Sequence, residues 1–178
     1  NIAANMCAAR LSELLKSGYS LRKTCESLTR TMHQARTSDI PFSAFTIVRV
    51  LNNGSTTILS YEMPEPILIE NNRAILPKQR FFTLGDEVVA ETHCVIKPDS
   101  AVIVTSDGVS QAGLGCGLVN GWTAEGACNH INHLLSESVP IKDIVHKLIW
   151  KARDLCRGVF ADDTTAVAFT CRPGTTVH

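Results

Sequence analysis

Three aspartates carry the strongest chemistry in this sequence. In Ala101-Val-Ile-Val-Thr-Ser106-Asp107-Gly108, an apolar strand runs straight into Ser-Asp-Gly, which places Asp107 where a buried strand emerges at a sheet edge. Gly108 permits a sharp turn that points the carboxylate outward. In Gly158-Val-Phe-Ala-Asp162-Asp163-Thr164-Thr165, two adjacent carboxylates come just before another apolar strand. Adjacent acids repel, and at a buried sheet end they need a compensating charge. A divalent cation is the usual solution. Carboxylate oxygens with no companion Cys or His select Mg²⁺ or Mn²⁺ over Zn²⁺. If the two strands are neighbours, Asp107 and Asp162 converge although 55 positions separate them. Either motif alone is also what a plain turn or cap looks like; the pair is more informative.

Other groupings are weaker. Gly113-Leu-Gly115-Cys-Gly117-Leu-Val-Asn-Gly121 is glycine-rich but fits neither a dinucleotide-binding nor a phosphate-loop pattern. Cys128, His130 and His133 share one helix as C-x-H-x-x-H, a spacing more often ordinary surface histidine than a zinc site. Ser43, Ser60 and Ser106 have no His-Asp order that suggests a catalytic triad.

The elements that must position these residues are legible from periodicity. Ile2, Met6, Ala9, Leu11, Leu14 and Leu15 recur at helical spacing up to Lys16, with Gly18 as C-cap. Ser20 caps a second helix with the stripe Leu21, Cys25, Leu28, Met32 and Ala35, which Asp39-Ile40-Pro41 ends. Strands are expected at 43–51 and 56–61 around Asn53-Gly54, at 67–70 and 73–76 around Asn71-Asn72, and at 88–96 and 101–105. Helices follow at 123–135, capped by Thr123, and at 141–155. A last strand spans 164–171 and is apolar enough to be central. Tight turns between consecutive strands imply antiparallel pairing. The expected fold is α+β, a layered α/β sandwich with an antiparallel sheet core and helical hairpins on its outer faces.

Composition narrows the function classes. The chain of 178 residues fits one domain, with 17 basic against 17 acidic side chains and 44% hydrophobic residues. Zero net charge with scattered Lys and Arg argues against a nucleic-acid binder, and charges interrupt every apolar run before membrane-spanning length. Seven cysteines without a CxxC read as buried free thiols of a reducing, cytoplasmic compartment. The first residue is Asn1, within the expected first helix, so 1–178 reads as a single domain that is incomplete at its N-terminus.

Ser106-Asp107-Gly108-Val109-Ser110-Gln111-Ala112 and Ala161-Asp162-Asp163-Thr164-Thr165-Ala166-Val167-Ala168 together resemble the SpoIIE-type phosphatase domains. These belong to the metal-dependent PPM superfamily, the type 2C-like protein Ser/Thr phosphatases. The order of helix pair, strand block, Asp-Gly strand end, helix pair and Asp-Asp strand extends the resemblance across the chain. It implies that Asp107 and Asp162 are ligands of a binuclear Mn²⁺ or Mg²⁺ centre, with Asp163 in support. It implies hydrolysis of phosphoserine or phosphothreonine by a metal-bound water, with no covalent phosphoenzyme. By position, Gly108, Gly113, Gly115 and Gly117 belong to a mobile loop beside the substrate. The implied partner is a phosphorylated regulatory protein, in a bacterial type of signalling. The family's first Asp-Gly motif, which bridges both metals, is not in the sequence, and the alternative is a pseudophosphatase that binds a phosphoprotein without turnover.

Overall fold

The computed structural model describes residues 2–34, 44–85, 87–160 and 162–171; Asp39-Ile40-Pro41, Ala35 and Ala161 fall outside them. Helices α1 (Ile2–Lys16) and α2 (Leu21–Gln34) open the chain. The Gly18 amide donates to Leu15 and the Tyr19 amide to Leu14, the paired bonds of a Schellman cap. Ser20 Oγ accepts the Lys23 amide at 3.4 Å and starts α2, as the sequence predicts.

The strands divide into two antiparallel sheets. In the first, β1 (Phe45–Val50), β2 (Ser55–Tyr61), β5 (Gln79–Leu84) and β6 (Glu87–Val95) lie in the order β1-β2-β6-β5. In the second, β3 (Ile67–Glu70), β4 (Arg73–Ile75), β7 (Ala101–Thr105) and β8 (Ala166–Thr170) lie in the order β4-β3-β7-β8. A single turn, α3 (Asp107–Ser110), follows β7, and α4 (Thr123–Ser136) and α5 (Ile141–Leu155) form the second helix pair. Thr123 Oγ1 accepts the Gly126 amide at 3.3 Å, the bond expected of an N-terminal cap.

Side chains alternate across each strand, so each sheet buries both faces. Ile47, Leu59, Tyr61 and Val89 pack under Leu21, Cys25 and Leu28 of α2. The alternate residue Ile58 joins Leu68, Ile96 and Val102 between the sheets. On the far side, Ile67, Ile69, Ala101 and Ile103 meet Ile131 and Leu134 of α4 with Ile144 and Leu148 of α5. The layers are therefore helix, sheet, sheet, helix. This is the expected α+β sandwich with helical hairpins outside, its core split into two sheets instead of one.

Three local differences stand out. β5 and α3 were not predicted. β8, expected to be central, pairs only with β7 and ends its sheet among the described residues. Cys25 and Cys128 are buried, whereas the other five thiols are half-buried. Burial pushes the Cys25 thiol up to about 12, which leaves it an inert core group. Among the described residues no helix is long and apolar enough to cross a membrane.

Two polar groups under the first helix pair yield predictions. Glu91 of β6 is buried and paired with Arg22 of α2, whose guanidinium also lies 4.6 Å over the Phe82 ring. The Arg22 hydrogen bond holds the Glu91 carboxyl below its ordinary value, against the opposing effect of burial. A depressed folded pKa stabilises the protein above the unfolded value of about 4.3 and is lost as pH falls through the folded one. Arg22→Ala is therefore expected to lower thermal stability at neutral pH. Its deficit should shrink in acid, where Glu91 is protonated in both proteins; a pH-independent deficit would count against the pairing. Thr24 Oγ1 is buried with no hydrogen-bond partner. Thr24→Val replaces that hydroxyl with a methyl of similar shape and should stabilise the fold by about 1 kcal/mol, measured by denaturant titration.

Candidate metal centre

The sheet register brings the two acidic motifs together. β7 and β8 pair antiparallel with Thr105 opposite Ala166, so the end of one strand adjoins the start of the other. The ladder continues one step further, because the Ser106 amide donates to the Thr165 carbonyl at 2.9 Å. Ser106 Oγ then works in both directions, donating to the Asp163 carbonyl and accepting the Thr165 amide, each at 2.9 Å. Asp107 follows as the first residue of α3, and Asp162 and Asp163 sit in the segment that Ser106 holds.

Gly108 completes the junction for a reason other than the expected turn. It lies inside α3, outside the left-handed region. A Cβ built on it would stand 2.6 Å from the Asp163 carbonyl oxygen and 2.8 Å from Thr164 Oγ1. Close approach, not backbone freedom, demands glycine here.

The carboxylates themselves are held lightly. Asp162 Oδ1 accepts the Asp163 amide at 2.7 Å, and Gln111 Nε2 donates to Asp107 Oδ2 at a long 3.4 Å. Among the described residues, none of the three aspartates forms an ion pair. Asp107 is half-buried, whereas Asp162 and Asp163 are exposed, contrary to the expectation of a buried sheet end. Water screens their repulsion, so it does not by itself call for a cation. What the arrangement offers is hard oxygen donors at the mouth of a strand junction. Among the described residues, no three of His, Cys, Asp and Glu stand close enough to hold a metal by themselves.

The glycine-rich segment closes on this junction. A Cβ on Gly121 would stand 2.7 Å from the Ser110 carbonyl oxygen, so the loop returns directly onto the end of α3. Gly113 packs on Leu118 and donates its amide to Cys156 Sγ at 3.4 Å, while Gly115 and Gly117 face open space. Leu114 is 52% and Val119 90% exposed, which leaves apolar side chains in water beside the aspartates. The histidine motif behaves differently. Cys128 points into the core, while His130 lies tilted against Trp122, with burial lowering its pKa, and meets His133 edge-on at 6.5 Å between ring centroids. The three side chains therefore do not share a face.

Sequence reasoning missed Ser106 and Gln111 as positioning residues. Both residues stand in the Ser106–Ala112 motif, but the bonds Ser106 makes to Asp163 and Thr165 depend on the β7–β8 register, which leaves no mark in the sequence.

Fold comparison agrees with the layered architecture. The chain is similar to the manganese-presoaked phosphatase domain of the cell fate determinant SpoIIE from Bacillus subtilis, with a TM-score of 0.64 and 16% identity over 96% of this chain and 76% of that one. It is similar to the RsbU and RsbW domains of a Mycobacterium tuberculosis protein, with a TM-score of 0.71 and 16% identity over 94% of this chain and 46% of that one. PppA, a regulatory component of T6SS in Pseudomonas aeruginosa, gives 0.59 and 12% over 94% and 78%. At these identities the likeness is one of fold. No curated protein matches the chain in sequence. Residues 2–172 match the family described as Stage II sporulation protein E (SpoIIE), and the chain belongs to that family.

Proposed function

We propose that this chain is the catalytic part of a metal-dependent protein phosphatase that hydrolyses phosphoserine or phosphothreonine on a regulatory protein. The observation that carries the reading is the meeting of Asp107 with the Asp162-Asp163 segment at the β7–β8 junction, in a chain of the SpoIIE family. The cofactor is a binuclear Mn²⁺ or Mg²⁺ centre. The residues fit such a group in kind, being hard carboxylate donors. Two or three carboxylates are fewer donors than two metals take, so the centre draws on further ligands.

When bound, the metals supply an acidified water and neutralise charge building on the phosphoryl group. This chain's residues do the positioning. Asp107 and Asp162 hold the metals. The Asp163 amide occupies Asp162 Oδ1, which leaves Oδ2 free to ligate, and Gln111 steadies Asp107. Ser106 keeps both segments in register. Leu114 and Val119 on the glycine-rich loop offer apolar contact to a folded protein partner, more than a small phosphate ester would use.

The test is phosphate release from phosphoserine and phosphothreonine peptides by the full-length protein. Turnover should depend on Mn²⁺ or Mg²⁺ and fall to background after chelation, returning when metal is restored. Metal-independent turnover would overturn the mechanism. Saturable binding of phosphoprotein without turnover at any metal concentration would mark a pseudophosphatase instead.

A further inference from the structure

Five of the seven thiols lie in or against the apolar clusters. Cys128 sits in the cluster of α4 and α5, Cys7 and Cys25 in the one beneath the first helix pair, and Cys94 and Cys171 in the one between the sheets. Burial raises Cys7, Cys25, Cys94 and Cys128 above the ordinary thiol value, which keeps them protonated and slow to react. Cys116 and Cys156 belong to none of these clusters. Both are half-buried, open to a small oxidant, and they come from segments that meet.

Cys156 follows the last residue of α5, and its Sγ accepts the Gly113 amide at 3.4 Å. The Gly113 carbonyl in turn accepts the Cys116 amide at 2.9 Å, closing the turn that carries Cys116. These bonds, with a single residue between them, confine the Cys116 nitrogen to within about 10 Å of Cys156 Sγ. A further bond fastens the same segments, because Arg157 Nη2 donates to the Cys116 carbonyl at 3.5 Å. A disulfide needs Cα atoms about 4.4–6.8 Å apart, so closing one here asks at most a few ångströms of the loop. Gly115 and Gly117 flank Cys116 and make that movement easy. Both have positive φ, and a Cβ at either would meet nothing within 4 Å.

We propose that Cys116 and Cys156 are a site of oxidation by hydrogen peroxide, forming an intramolecular disulfide that ties the glycine-rich loop to the end of α5. One thiolate attacks the peroxide and breaks its O–O bond, giving a sulfenic acid and hydroxide. The second thiolate attacks that sulfur and expels another hydroxide as the S–S bond forms. With the two protons the thiols gave up, the products are one disulfide and two waters. A dithiol reverses the step by exchange, so the bond is switchable. The loop returns onto the end of α3 at Gly121, on the side of Asp107, so the tie acts beside the candidate centre. The disulfide itself does not rest on the metal reading, because it is detected without turnover.

Peptide mapping by mass spectrometry tests it, on the full-length protein treated with hydrogen peroxide and alkylated without reduction. A Cys116–Cys156 crosslink is expected, with the loss of two hydrogens, and dithiothreitol should remove it. Cys116→Ser and Cys156→Ser should each abolish it. Serine at 156 can still accept the Gly113 amide, so that variant keeps the local fold. Thermolysin cleavage before Leu114, Leu118 or Val119 should slow on oxidation of the wild type and of neither variant. A crosslink between Cys94 and Cys171, or between two chains, in place of this one overturns the proposal. So does the absence of the Cys116–Cys156 crosslink, whether the thiols stay free or advance to sulfinic acid. Loop cleavage that oxidation leaves unchanged overturns the tie between the loop and α5.

Discussion

Asp107→Asn and Asp162→Asn are each expected to reduce phosphatase turnover by about 10³-fold while leaving the melting temperature nearly unchanged. The magnitude follows from the charge stabilisation a metal ligand supports, several kcal/mol at the transition state, with each ~1.4 kcal/mol worth tenfold. Asparagine keeps the shape and the local bonds. The Gln111 side chain can still meet residue 107, and an amide oxygen at 162 still accepts the Asp163 amide. Stability is spared because these carboxylates make no ion pair among the described residues and two of the three are exposed. Removing one even relieves mutual repulsion. Asp163→Asn should cost less than about tenfold, as befits a residue that contributes its backbone more than its carboxylate. The second readout is Mn²⁺ affinity by calorimetry, which should fall in both principal variants and hold in Asp163→Asn. Full turnover in both Asp107→Asn and Asp162→Asn would sink the assignment.

The legibility of this site in the sequence was uneven, and the reason is physical. β7 could be bounded to the residue because the apolar run Ala101–Val104, closed by the β-branched Thr105, lies between the turn Lys97-Pro98-Asp99 and Ser-Asp-Gly. A central strand buried on both faces leaves that mark. β5 leaves none. Gln79–Leu84 is an end strand whose identity comes from pairing Phe82 with Val89 of β6 under the Arg22 side chain, contacts distant in sequence. A single turn such as α3 is too short to show a 3.6-residue period. The split into two sheets was also hidden. The segments at Glu62–Pro66 and Lys97–Ser100 carry the chain from one sheet to the other, and in sequence they look like any hairpin turn.

For the site, residue types were readable and their reasons were not. The strand ends gave Asp107, Asp162 and Asp163, but the argument from buried like charges does not hold, since two of the three are exposed. What joins the segments is hydrogen bonding through one serine and van der Waals contact at one glycine. Neither has a sequence signature, because both depend on the β7–β8 register.

Gly108→Ala is expected to damage both the fold and the metal centre. The new methyl would stand 2.6 Å from the Asp163 carbonyl oxygen and 3.1 Å from its carbonyl carbon, and backbone cannot rotate away as a side chain can. Either α3 or the Asp162–Thr164 segment must move. Overpacking of this kind costs about 1–3 kcal/mol, which in a domain of this size lowers the melting temperature by roughly 3–10 °C. The movement separates Asp107 from Asp162, so turnover should fall further than stability alone explains, with Mn²⁺ affinity falling in parallel. Gly115→Ala is the control. Its Cβ meets nothing within 4 Å, and only its φ of +72° resists the side chain, at a cost of about 1 kcal/mol with no effect on metal affinity. Ser106→Ala removes the two bonds that hold the same segment from the other side. If Gly108 and Ser106 act on one junction, the double variant should lose less stability than the two single losses combined, because the first displacement already breaks the contacts the second removes. Strict additivity, or wild-type metal affinity in Gly108→Ala, would show that the close approach at Asp163 does not position the centre.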